Sequence, residues 1–122
     1  MATQIFIVED YVAVRNAYVT LLEHEPDLTV CGAVSSAEEA LAQIPTQQPN
    51  LVLVDMRLPG MNGLTFIAHL YQIQPTLPVV IVSSLEPVLD EPIYNVKGYV
   101  HKQDAPQRLV PTIRQVLAPS DQ

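Results

Sequence analysis

Two hydrophobic patterns take turns along the chain. Short apolar runs recur at QIFIVED (4–10), LTVCGAV (28–34), LVLVD (51–55), PVVIVSS (78–84) and KGYVHK (97–102). LVLV shows no apolar–polar alternation, so it reads as a strand covered on both faces, as in a parallel sheet. Between the runs the period becomes helical. Val14, Ala17, Tyr18, Leu21 and Leu22 recur at that spacing within 12–24, and Leu64, Ile67, Leu70, Tyr71 and Gln74 mark a helix over 62–74. Ser36 with Glu39 three residues on forms a capping box that opens a short helix at SAEEALAQI. Asp104 is placed to cap a last helix reaching Leu117, which Pro111 should kink. Strands and helices alternating at this spacing predict a parallel sheet with helices on both faces. Sites in such sheets form outside the carboxyl ends of the strands.

Composition narrows the class. A chain of 122 residues, 48% of them hydrophobic, makes one domain (1–122) with a single good core. No apolar run approaches the ~20 residues of a membrane-spanning helix. The chain enters a strand within four residues of Met1 without a basic leader, which predicts a cytoplasmic protein. Cys31 stands alone, so it can build neither a disulfide nor a cysteine metal cage within the chain, and it reads as a small buried hydrophobe. The net charge of −7 argues against direct nucleic-acid binding and favours a cation or a basic partner surface. His24, His69 and His101 show no metal spacing and read as surface residues, and the polar tail APSDQ reads as frayed.

The strand ends carry the chemistry. The first run ends in Glu9 and Asp10, the third in Asp55, the fourth in Ser83 and Ser84, the fifth in Lys102. Parallel strands put all of these on one rim. Three carboxylates there repel one another unless a cation neutralises them, and an all-oxygen set suits Mg²⁺. A lysine and a hydroxyl opposite would hold an anion on that metal, which makes the central carboxylate a candidate phosphoryl acceptor. Taken singly, each residue has an ordinary structural role. Acids before a helix cap it, an Asp before a turn bonds its own loop, and a strand tyrosine packs. Their convergence on one rim favours the chemical reading.

IFIVED, LVLVDMRLPGMNGL, PVVIVSS and GYVHK, in this order and spacing, resemble the receiver domain of two-component response regulators over essentially the whole chain. The wording is most similar to receivers of LuxR/NarL-type DNA-binding regulators. The resemblance implies a flavodoxin-like (βα)5 three-layer sandwich with strand order 2-1-3-4-5. It implies that Asp55 takes a phosphoryl group from a sensor histidine kinase or phosphotransfer protein in a Mg²⁺-dependent reaction. Asp10, Glu9, Asp55 and the backbone carbonyl of Arg57 would hold the metal, the Arg57 side chain staying exposed. Ser83, the backbone of Ser84, and Lys102 would bind the phosphoryl group. Ser83 and Tyr99 would form the switch. Such a domain catalyses only its own phosphorylation and dephosphorylation, and it either stands alone or precedes a C-terminal DNA-binding output domain.

Three departures stand out. The segment between Ser83 and Lys102 is short for the family and holds Pro87 and Pro92, so the fourth helix is expected to be shortened. The dimer face to which it belongs would then be remodelled, leaving a monomer or weak dimer. Gln103 follows Lys102 where many receivers carry proline, so the lysine loop is expected to be looser or held by Asp104. Ser83 stands in place of the commoner threonine. The alternative function is a phosphorylation-independent scaffold of the same fold, favoured by the altered helix and opposed by the complete set Asp10, Asp55, Ser83 and Lys102. A haloacid-dehalogenase-type phosphatase would need an Asp where Arg57 stands, and a flavin site would need a phosphate-binding loop where the chain has EDYVAV.

Overall fold

Five strands pair side by side, all parallel: β1 (Thr3–Val8), β2 (Leu28–Val34), β3 (Leu51–Val54), β4 (Val79–Ser83) and β5 (Val96–His101), in the order β2-β1-β3-β4-β5. The computed structural model describes residues 2–84 and 94–118. Four α-helices lie among these residues: α1 (Val12–Glu23), α2 (Ala37–Gln47), α3 (Gly63–Ile73) and α4 (Ala105–Leu117), with a 3₁₀ turn (Lys102–Asp104) just before α4. The flavodoxin-like sandwich expected from the sequence is the fold observed. The expected short fourth helix falls on residues 85–93, and the expected frayed tail on residues 119–122. Both lie outside the described residues.

The central strands β1, β3 and β4 are mostly apolar because both of their faces are covered. Phe6, Val8, Val52, Val54 and Ile81 point into a layer shared with Ala40, Ile44, Phe66 and Leu70 of α2 and α3. Their neighbours Ile5, Ile7, Leu51, Leu53, Val80 and Val82 point the other way, toward Tyr18 and Leu22 of α1 and Leu109 and Ile113 of α4. This is the period-two alternation of a strand, with two cores in place of one core and one wet face.

The helix boundaries follow local chemistry. Ser36 caps α2 by accepting from the Glu39 amide at 3.2 Å, but the Glu39 carboxylate does not complete the expected box. Its Oε2 instead accepts from the hydroxyls of Ser35 (2.8 Å) and Ser36 (3.1 Å). Ser36→Ala should therefore cost about 1 kcal/mol, the usual worth of an N-cap, seen as a lower urea midpoint. An unchanged midpoint would mean the cap contributes nothing. Asn62 caps α3 through the Thr65 amide at 2.9 Å. Asp104 does stand at the N-cap of α4, yet its side chain makes no capping bond. The 3₁₀ turn already supplies a partner, the Lys102 carbonyl, to the first helical amide, that of Ala105. Helix α4 runs on across Pro111, and α2 continues past Ile44 through Pro45. Both prolines are exposed, so the carbonyls they leave free can face water. Arg114 of α4 clamps the loop before β2, reaching Asp27 at 2.6 and 3.0 Å and Glu25 at 2.7 Å.

Two sequence expectations need correction. Cys31 is only half-buried: it sits on the edge strand β2, packs against the core from one side, and its Sγ donates to the Ile5 carbonyl. His24 and His69 are exposed as expected, but His101 is half-buried, and its Nδ1 accepts from the Gln103 amide at 3.1 Å. That bond, together with the 3₁₀ turn, holds the lysine loop. The loop is tied down by His101 and not by the Asp104 side chain.

Candidate functional site

The sheet delivers its chemistry at one rim because strand ends share a direction. Beyond Val8, the Glu9 amide still bonds to the Val34 carbonyl (3.0 Å), and the Asp55 amide to the Val8 carbonyl (3.2 Å). The ladder thus extends one residue past β1 and past β3, fixing the backbones of both acids. Asp55 and Glu9 are buried, while Asp10 is exposed. One carboxylate oxygen from each of the three lies within 4.8 Å of the others.

Lys102 enters this cluster from the end of β5. Its Nζ stands 2.7 Å from Asp55 Oδ2, 3.2 Å from Glu9 Oε1 and 3.5 Å from Glu9 Oε2. Burial pulls the ammonium toward its neutral form, and the bonds to Asp55 and Glu9 more than reverse that, leaving its pKa above the ordinary lysine value. Burial pushes the Glu9 carboxyl above its ordinary value, with the Asp55 charge adding to the effect. The bond from the Tyr11 amide (3.1 Å) and the Lys102 charge only partly offset this. Keeping Glu9 ionised here is costly, and a second cation would ease it.

Asp55 Oδ1 accepts from the Arg57 amide at 3.1 Å, the short loop bond expected of an Asp before a turn. That bond fixes the amide side of Arg57, the residue whose carbonyl the receiver resemblance implies as a metal ligand, and the Arg57 side chain is exposed as expected. The loop turns back at Gly60, whose φ of +72° is the left-handed region that suits glycine. Ser83 is fully buried at the end of β4 and Ser84 is exposed beside it. Tyr99 pairs with Ile81, two positions before the Ser83–His101 pair, and packs half-buried against the α2–α3 layer. Ser83 and Tyr99 therefore occupy the same sheet face.

Three contributors were not singled out from the sequence. Arg15 Nη1 donates to the Glu9 carbonyl at 2.8 Å, bracing the acidic turn from one helical turn into α1. Glu38 Oε2 accepts from the Met61 amide at 3.2 Å, tying the first turn of α2 to the loop after Asp55. Tyr18 of α1 lines a cleft together with Lys102. Arg15, soon after the acidic pair on an amphipathic helix, was the one readable signal. The other two arise from long-range packing.

Donor chemistry fits Mg²⁺: three carboxylates on a rim, all oxygen, with no sulfur or imidazole within the cluster. Residues 5–114 match the response regulator receiver domain family. Among individual proteins, the chain is 33% identical over 118 residues to the DNA-binding transcriptional activator DevR/DosR of Mycobacterium tuberculosis, covering 94% of this chain and 54% of that protein. It is 40% identical over 83 residues to protein-glutamate methylesterase/protein-glutamine glutaminase 1 of Cereibacter sphaeroides, covering 68% of this chain and 22% of that protein. A crystal structure of a LuxR-family two-component response regulator from Aurantimonas sp. superposes with a TM-score of 0.89 at 28% identity, over 97% of this chain and 86% of that one. The chain thus spans about half the length of DevR/DosR and under a quarter of the methylesterase. With this fold, this rim and a match over nearly its whole length, the chain belongs to the response regulator receiver domain family of two-component signalling.

Proposed function

We propose that Asp55 is the phospho-acceptor of this receiver. The observation that carries the reading is the Lys102–Asp55 ion pair at 2.7 Å inside a cluster of three carboxylates. In the reaction, a carboxylate oxygen of Asp55 attacks the phosphorus of a histidine kinase's or phosphotransfer protein's phosphohistidine. The P–N bond breaks and the imidazole leaves with its electron pair. Lys102 moves from Asp55 Oδ2 to a phosphoryl oxygen, and the Ser83 hydroxyl and Ser84 amide bind the others. Asp10, Glu9, Asp55 and the Arg57 carbonyl would hold Mg²⁺, which when bound neutralises charge on the transferring group. The Ser83 contact would be relayed along the shared sheet face to Tyr99.

The inferred output is transcriptional, through a DNA-binding domain beyond this receiver, because DevR/DosR is a DNA-binding transcriptional activator about twice this length. A cytoplasmic location goes with that role. Among the described residues no helix is long and apolar enough to cross a membrane. Intact mass after incubation with acetyl phosphate and Mg²⁺ tests the reading. One added phosphoryl group is expected, lost in Asp55→Asn and in EDTA. An adduct that survives Asp55→Asn would move the acceptor elsewhere. Absence of any adduct, with no beryllofluoride binding either, would favour the phosphorylation-independent scaffold.

A further inference from the structure

The turn that delivers Lys102 to the rim is three residues long, Lys102–Asp104, between the end of β5 at His101 and the start of α4 at Ala105. A 3₁₀ turn this short closes few backbone bonds of its own. On its far side the Ala105 amide donates to the Lys102 carbonyl. Its near side is closed by a side chain, His101 Nδ1 accepting from the Gln103 amide at 3.1 Å. That bond joins the residue before Lys102 to the residue after it, so the lysine backbone is enclosed within it. The imidazole is a firm anchor: His101 pairs with Ser83 of β4, and it is half-buried. An amide N–H can only donate, so Nδ1 is the unprotonated nitrogen of a neutral ring. Gln103 supplies that hydrogen, and a proline at the same position would have none. The Asp104 side chain, at the other end of the turn, makes no capping bond.

We propose that His101 is a positioning residue for Lys102, its neutral imidazole holding the turn so that the ammonium reaches Asp55. A lysine stem is flexible and rich in rotamers, yet Nζ meets Asp55 Oδ2 at 2.7 Å and Glu9 Oε1 at 3.2 Å. Reaching two buried carboxylates at once requires a fixed starting point for that stem. The His101 bond supplies it from the sheet. With the turn already ordered, the ammonium can pass to an anion on Asp55 without the cost of ordering its loop. This role rests on the reading that Lys102 binds that anion.

Beryllofluoride affinity in Mg²⁺ buffer tests the role in His101→Asn, His101→Leu, Lys102→Ala and the double variant His101→Leu with Lys102→Ala. Asparagine keeps an acceptor for the amide two residues on, whereas leucine removes it. His101→Leu should bind about fivefold more weakly, the worth of one hydrogen bond, and His101→Asn should stay near wild type. With Lys102→Ala already in place, His101→Leu should weaken binding no further. Wild-type affinity in His101→Leu, an equal loss in His101→Asn, or an undiminished loss with Lys102 absent would overturn the proposal. Wild-type affinity in Lys102→Ala would sink the anion-binding reading instead. Urea midpoints of the same variants then decide the role of His101 alone. Lys102→Ala should cost less stability in the His101→Leu background than in the wild type, and an equal cost would mean that His101 does not position the lysine.

Discussion

Lys102→Ala is expected to lower stability at neutral pH by about 2–3 kcal/mol, and acid or Mg²⁺ should restore part of it. The variant leaves Glu9 and Asp55, both buried, facing each other without their cation. Breaking a fully buried pair from one side costs ~3–5 kcal/mol, and the lower figure follows from the 24% exposure of the lysine side chain. The pH dependence has a definite sign. Glu9 in the folded chain already sits above its ordinary value of 4.5, so its protonation favours folding, and it weakens the fold as pH rises through that raised value. Removing Lys102 removes one of the influences holding Glu9 down, so its pKa climbs further and the deficit at pH 7 grows. Lys102 itself has a raised pKa, so its own contribution is full below the ordinary lysine value of 10.5 and is lost only in strong alkali. Urea midpoints at pH 5 and pH 8 check this: the gap between variant and wild type should narrow at pH 5. Mg²⁺ binding only the folded form should stabilise the variant more than the wild type, since it no longer competes with the ammonium. A deficit that is the same at both pH values and untouched by Mg²⁺ would mean that Lys102 acts through packing alone.

The strands and the rim were legible because their signals are local and redundant. LVLV followed by Asp55 predicts both a two-sided strand and a carboxylate at its mouth, and β2 occupies residues 28–34 as the apolar run requires. What was not legible depends on partners far away in sequence. Asp104 looks like a cap in any window of ten residues, but the preceding 3₁₀ turn had already satisfied the Ala105 amide. His101 reads as a polar surface residue until the Gln103 amide folds back onto it. Cys31 lies in an apolar run, yet an edge strand covers it from only one side. Tyr18 satisfies the helical period as well as any apolar residue would, and its hydroxyl becomes conspicuous only once the layer around it is assembled. Pro45 and Pro111 both lie inside helices with exposed side chains, so the carbonyl that each leaves unbonded can face water.

The other large expected effect lies at Gly63, the first residue of α3. A methyl group added there would stand 2.6 Å from the Asp55 carbonyl oxygen, 2.7 Å from Met56 Cα and 3.2 Å from the Met56 carbonyl oxygen. All three are backbone atoms, so no side chain can rotate out of the way. The approach is close because the Gly63 amide bonds to the Met56 carbonyl at 3.0 Å, drawing the start of α3 onto the peptide that leaves Asp55. Gly63→Ala must therefore push the helix away from the acceptor strand or twist the Asp55 peptide. Overpacking a well-filled site costs ~1–3 kcal/mol, and with rigid neighbours the upper end is expected, visible as a lower urea midpoint. Helix propensity works the other way, since alanine is favoured over glycine inside a helix by about 1 kcal/mol, so a stabilised variant would show that the contact relaxes freely. The functional consequence follows from the same geometry. Asp55 Oδ1 is held by the Arg57 amide just beyond the crowded peptide, so moving that peptide moves the carboxylate relative to Lys102. Beryllofluoride affinity should fall at least tenfold in Gly63→Ala and stay near wild type in Leu64→Ala, one residue along the helix with an exposed side chain. Equal affinity in both variants would show that the acceptor is held by its strand alone, without help from the start of α3.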